Sequence, residues 1–249
     1  TLQESDIFQD DDYVTPTAGA TDPSQTSRTS TRPGETTTAT TTVETTIDPL
    51  VILTEEYDAV LAGLPLMSNS QVYNLLVIGT DNRGNELNGR SDTMIIVSVN
   101  KRNNTIQIVS LMRALYVQIP GREHSMLNAA FSWGGPRLLI KTIEANFRVA
   151  IDDYVVINFT GFERIIDKVG GITVSLTDRE AAYLNEKTNG TGLAAGSNQL
   201  NGHLALWYAR TRKIDSDFTR TSRQRTVIAA LIQKAGQMSL GELDGLARE

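Results

Sequence analysis

The sequence predicts an α/β protein: a single domain with a central mixed β-sheet sandwiched between helices, preceded by a disordered tail. Three observations predict it. Apolar runs of strand character alternate with segments of helical period, the pattern of a sheet covered by helices on both faces. Two of the strands are joined by a short polar linker, so the sheet contains a hairpin and is not purely parallel. The first fifty residues, finally, have a composition that cannot build a core.

Residues 1–50 hold 15 Thr, 4 Ser and 4 Pro, with nine acids against Arg28 and Arg32, a net charge of −7. Such a stretch buries too little surface to offset its ordering entropy and reads as a disordered Thr/Ser/Pro-rich spacer. Spacers of this kind sit outside the cell between a membrane anchor and a domain; an arbitrary polar tail is the plainer alternative. Residues 51–70 are a lead-in, with an amphipathic helix from Ile52 to Leu66 ended by Gly63 and Pro65. Residues 71–249 then form the folded domain.

Tyr73–Gly79 (YNLLVIG) is a continuous apolar run, as in a strand buried on both faces. Thr93–Val99 and Thr105–Leu111 are strands that Asn100–Asn104 turns into a hairpin. Pro136 suits a first helical turn, and Leu139, Ile143 and Phe147 follow at helical spacing. Tyr154–Phe159 is a strand leading into Thr160-Gly161-Phe162-Glu163, read as a capping box whose helix stops at Gly170-Gly171. Ile172–Leu176 is a strand, and Thr177–Asn185 and Asn201–Tyr208 are helices, the latter capped by Asn201. A last helix runs from about Thr221 with Val227, Ile228, Leu231, Ile232 and Ala235 as its apolar stripe.

Composition narrows the chemistry. The 249 residues carry 23 Lys+Arg, 29 Asp+Glu, 2 His and no Cys. Disulfides, thiolate zinc sites, iron–sulfur clusters and a cysteine nucleophile are excluded, and His124 and His203 alone do not make a multi-histidine metal centre. Both read as structural or incidental. No apolar run is long enough to span a bilayer. Outside the first fifty residues the net charge is +1, so what matters is where charges cluster.

They cluster in three places. Asp81 and Arg83 follow the YNLLVIG strand directly, where sheets of this kind bind ligands, although a polar turn would look the same. Asp92 opens the next strand, across one short loop from Asp81. Two such carboxylates suit Mg²⁺, which keeps several waters and pairs with phosphate. From 210 to 225 come Arg210, Arg212, Lys213, Arg220, Arg223 and Arg225 against Asp215 and Asp217. Five arginines to one lysine favour planar, bidentate contacts to phosphate over diffuse charge. A solvated basic surface or a nucleic-acid patch would need neither that ratio nor a neutral domain, and stacking aromatics are missing. Arg113 adds a cation beyond the third strand. There is no phosphate-cradling glycine loop and no dinucleotide fingerprint.

NLLVIGTDNRG, RSDTMIIVSVN, LNAAFSWGGPRLLIKTIE, DDYVVINFTGFERIIDKVGGI, LNGHLALWYARTRK and DFTRTSRQR resemble, in order, the extracellular domain of LytR-CpsA-Psr (LCP) proteins. The resemblance covers about Val72 to Ala235. It implies an LCP-type fold and a glycopolymer–peptidoglycan phosphotransferase. Such an enzyme moves a glycopolymer from a polyprenyl-pyrophosphate lipid to peptidoglycan or another wall acceptor, on the outer face of the bacterial membrane. A preceding N-terminal helix would anchor it there, and nucleic acid is not a partner. The resemblance also implies an apolar tunnel for the prenyl chain, each buried methylene adding about 0.8 kcal/mol.

Carried over by position, Asp81 and Asp92 would hold Mg²⁺. Arg83, Arg113, Arg210, Arg212, Arg220 and Arg223 would hold the pyrophosphate, with Gln224 lining the same pocket. Asp81, Arg83, Asp92 and Arg113 would stand nearest the reaction. One departure is Met112-Arg113-Ala114-Leu115, where the family usually reads Arg-Asp. The missing carboxylate motivates a rival reading, a binding module that holds polyprenyl pyrophosphates without turnover; a lipid pyrophosphatase with water as acceptor is a third.

Overall fold

The computed structural model describes residues 58–81, 91–214 and 216–239. The tail over residues 1–50, the start of the lead-in helix and Arg83 lie outside them. Of the lead-in helix α1, residues 58–63 are described, and it ends at Gly63 as expected.

Four strands make the central sheet: β1 (Val72–Thr80), β2 (Ser91–Asn100), β3 (Thr105–Leu111) and β6 (Asp153–Ile157), in the order β3-β2-β1-β6. β1 pairs antiparallel with β2, and β2 with β3, forming the expected hairpin. β6 lies parallel to β1, from Leu75↔Asp153 to Gly79↔Ile157, so the sheet is mixed. A two-residue hairpin, β4 (Tyr116–Val117) with β5 (Ser125–Met126), precedes α2 (Leu127–Phe147).

The two-residue period of the strands assigns the faces. Leu76, Ile78, Met94 and Ile96 point to one side and pack with Phe131, Leu139 and Ile143 of α2. Val77, Ile95 and Val97 point to the other, against Ile228 and Ile232 of α6 (Asp217–Ala235). The sheet is therefore covered on both faces, as the alternation of elements predicts. A second core joins α3 (Phe159–Lys168), the hairpin β7 (Ile172–Leu176) with β8 (Gly196–Leu200), α4 (Asp178–Lys187), α5 (Gly202–Arg210) and Val227 of α6.

Several elements differ from the sequence reading, the following for local reasons. The cap of α3 is Asn158, whose side-chain oxygen accepts from Gly161 N at 2.8 Å. The strand therefore ends at Ile157, and Thr160 is already inside the helix rather than opening a capping box. α6 starts at Asp217, four residues before Thr221, because the Ser216 side chain caps it. α2 begins at Leu127 and continues past a kink at Gly134-Gly135. Gly135 has φ +63°, a conformation that favours glycine, and Pro136 restarts the helix. β8, with the polar sequence GSNQL, carries no apolar alternation and was not anticipated.

Candidate active site

Strand pairing brings Asp81, Asp92 and Arg113 to one end of the central sheet. Thr80, the last residue of β1, pairs with Ser91, the first of β2, after a register shift between Gly79 and Thr80. Asp81 and Asp92 each follow one member of that pair, and Asp81 is exposed. Arg113 lies two residues beyond Leu111, which pairs with Met94, so the same register sets 113 opposite 92. The contact is direct: Arg113 Nη1 donates to Asp92 Oδ1 at 2.5 Å. Asn128 N donates to the carbonyl of Arg113 at 3.1 Å, which fastens this segment to the start of α2.

Because β6 runs parallel to β1, its carboxyl end is at the same end of the sheet. Two residues past it is Phe159, and the Arg210 guanidinium lies over that ring, 4.2 Å from its centre. Such stacking uses the planar face of arginine and leaves its edge donors directed elsewhere. Arg210 is the last residue of α5, where the negative end of the helix dipole favours a cation.

α6 brings the rest. Arg225 Nη1 donates to Ser110 Oγ at 3.2 Å, next to the end of β3. Ile228 and Ile232 pack farther down the sheet, so the turns of α6 before Arg225 reach toward the end that carries Arg113. On those turns Arg220 is 3% and Arg223 2% exposed, and Gln224 is partly buried. Arg212 is exposed.

Arg223 is committed inside the protein. Its Nε donates to Glu180 Oε1 at 2.6 Å and its Nη1 to the carbonyl of Thr211 at 3.1 Å. Glu180 also accepts, through Oε2, from the Thr177 N–H and from the Thr177 hydroxyl, both at 2.9 Å. Burial works to raise the Glu180 carboxyl, but the Thr177 backbone bond and the Arg223 guanidinium outweigh it and hold the group below its ordinary value. Glu180 and Phe159 were not anticipated as site residues. The Thr177-x-x-Glu180 spacing, a capping box in the structure, was the available signal for Glu180.

Both histidines lie against carboxylates. His124 Nε2 lies 2.8 Å from Asp58 Oδ2. His203 receives a bond from Trp207 Nε1 at 3.1 Å and faces Glu163 at 3.2 Å.

The donor set at the strand ends fits a divalent cation of the magnesium kind. Among the described residues no three acids or histidines come together. Mg²⁺, however, takes one or two carboxylates and completes its shell with water and phosphate. Asp92 gives one carboxylate oxygen to Arg113, and Asp81 follows Thr80, the strand partner of Ser91. Ser91, between them in the pairing, has a fully buried hydroxyl with no hydrogen-bond partner among the described residues.

The chain is similar to known proteins. The model of the LytR_cpsA_psr family matches residues 26–247. The polyisoprenyl-teichoic acid–peptidoglycan teichoic acid transferase TagU of Oceanobacillus iheyensis is 37% identical over 182 residues, 70% of this chain and 55% of that protein. A structure of TagT bound to LIIa-WTA superposes with a TM-score of 0.62 at 33% identity, covering 68% of this chain and 66% of that one. A LytR-CPS2A-psr family protein, YwtF (TagT), with bound octaprenyl pyrophosphate lipid gives 0.58 at 31% identity, covering 71% and 72%. The chain spans about half the length of the transferases it matches in sequence.

Proposed function

The chain belongs to the LytR_cpsA_psr family, and on that premise we propose that it transfers a glycopolymer from a polyprenyl-pyrophosphate carrier to peptidoglycan or a comparable wall acceptor. The observation that carries this reading is the convergence of Asp92–Arg113, Asp81, Phe159-stacked Arg210 and the first turns of α6 at one end of the sheet. A pyrophosphate needs that: several cations on different sides of one anion, two of them arginines fixed by a carboxylate or a ring.

In the reaction, the acceptor hydroxyl attacks the phosphorus that carries the glycopolymer. A new phosphodiester forms, the hydroxyl loses its proton, and the bridging phosphorus–oxygen bond breaks to leave polyprenyl monophosphate. Charge then builds on the leaving phosphate. Arg113 and Arg210 are held before substrate arrives, so they offset that charge without reorganising. Asp81 and Asp92 would hold Mg²⁺, which supplies further neutralisation of phosphate charge. Arg83, Arg212, Arg220 and Gln224 complete the pocket in this proposal. The site works on the outer face of the membrane, with the lipid reaching it from the bilayer.

A second reading, polyprenyl-pyrophosphate binding without turnover, is favoured by Ala114, which is exposed beside Arg113 where the family usually carries a carboxylate. Incubation with a short-chain lipid-pyrophosphate glycan, Mg²⁺ and peptidoglycan fragments separates the readings. Glycan joined to the fragment through phosphate is expected. Free phosphorylated glycan would mean hydrolysis, and intact lipid would mean a binding module.

A further inference from the structure

Resting on the reading of this site as a pyrophosphate cradle, we infer that Glu180 is a positioning residue for it, acting through Arg223 on the Arg210-Thr211-Arg212 segment. Glu180 comes from α4, whose Arg179 also donates, through Nη2, to the carbonyl of Ile214 in the same connector at 2.6 Å. Its carboxylate is fixed on one side by both Thr177 bonds at the start of α4. On the other it takes the Nε of Arg223, whose Nη1 holds the carbonyl of Thr211. Thr211 is the residue between two of the phosphate arginines, and its own hydroxyl donates to the carbonyl of Trp207 at 2.8 Å. The Arg223 guanidinium also lies 5.8 Å from the ring centre of Tyr208, which is 4% exposed.

An unbroken line of bonds therefore runs from the first turn of α4 to the peptide between Arg210 and Arg212. Arg210 is set at its tip by Phe159 and at its root by this line. A buried ion pair is weak evidence for stability by itself, because desolvation consumes most of its attraction. Its place at the connector between α5 and α6, where two phosphate arginines leave the helix, gives it a geometric purpose. On this account Arg223 supports the cradle from behind and does not touch the lipid phosphates.

The sign of one substitution tests it. Removing a negative charge near an anion site tightens binding if the effect is only electrostatic. Removing a strut loosens it. The dissociation constant of a C20 prenyl pyrophosphate at fixed Mg²⁺ is measured for the full chain and for Glu180→Gln, with melting curves for each. An increase of about tenfold is expected; an unchanged or smaller constant overturns the inference. Should Glu180→Gln not fold, Arg223→Lys is the second variant. It keeps the charge but cannot bridge Glu180 and Thr211 together, and it should lose about tenfold as well. Lysine binding like wild type would sink the strut.

The double variant should lose no more than either single, since both break one line. Losses that multiply would place Arg223 on the phosphate itself and overturn the inference. Arg210→Lys is the control for the underlying reading. If it and the wild type bind alike, or the wild type does not bind, the pyrophosphate site fails. If Arg210→Lys weakens binding and Glu180→Gln does not, only the positioning role fails.

Discussion

The Asp92 carboxylate and the Arg113 guanidinium meet at 2.5 Å across the end of the β2–β3 ladder, with side chains 33% and 30% exposed. At that exposure water screens the pair, and it contributes no more than about 1 kcal/mol to stability. The pair therefore adds little to folding and leaves two partly exposed groups at the sheet end.

Asp92→Asn should therefore lower Mg²⁺-dependent transfer at least tenfold while the melting temperature moves by only a few degrees, roughly what 1 kcal/mol yields in a domain of this size. Transfer rate against Mg²⁺ concentration, with melting curves alongside, decides it. A wild-type metal dependence would remove Asp92 from the metal site.

Ala114→Asp restores the residue the family usually carries, at an exposed position in the turn after β3. The fold should accept it, and transfer should be held or raised. Loss of the cooperative melt would mean that the turn has no room for a carboxylate.

Arg210→Lys keeps the charge and loses the plane that lies over Phe159. A lost charge-assisted contact costs about 1.5–3 kcal/mol, so affinity for a short prenyl pyrophosphate should fall about ten- to a hundredfold. Titration at two salt concentrations checks the cause. Equal affinity and equal salt dependence would reduce the cluster to a diffuse positive field.

Glu180 makes stability depend on pH with a definite sign. Its folded-state carboxyl is held below the ordinary value, so the unfolded chain binds that proton first as pH falls. The contribution is complete above the unfolded carboxylate range, about 4.3, and is lost as pH drops through the lower folded value. Urea unfolding from pH 7 to pH 3 should show the decline, with a shallower slope in Glu180→Gln. Parallel curves would mean that the carboxylate gains nothing in the folded state. Breaking the pair from one side, as in Arg223→Ala, should cost about 3–5 kcal/mol at neutral pH.

Gly202→Ala tests the approach of α5 to α3. A methyl group there would come within 2.6 Å of the Glu163 Cα, which is backbone and cannot swing away. A loss of about 1–3 kcal/mol in urea unfolding is expected. No loss would mean that the two helices separate at little cost.

The central sheet was legible because its strands announce themselves. Tyr73–Gly79 and Thr93–Val99 are largely apolar runs, and their two-residue period already divides Leu76 and Ile78 from Val77. Caps were harder. Asn158 and Thr160 both suit a helix start, and only the reach of the Asn158 side chain to Gly161 N decides between them. The arginines between 210 and 225 were visible as a local excess of charge. What supports them was not: Phe159 reads as one more apolar residue, and Glu180 is paired with Arg223 across 43 positions that no local pattern connects.

The parallel pairing of β1 with β6 also bears on how the chain acquires its activity. The β2–β3 hairpin closes across four residues between Asn100 and Thr105, whereas Gly79 meets Ile157 across 77. By loop-closure entropy the first costs about 1 kcal/mol and the second about 4, each with the same constant added. Non-local pairing of this kind is slow, so the meander β1-β2-β3 is favoured to assemble before β6 docks. Phe159, and with it the seat of Arg210, arrives only with β6. On the proposed function, the grip on phosphate would form late, when the sheet is complete, and a half-folded molecule would have little means of sequestering a lipid carrier it cannot use.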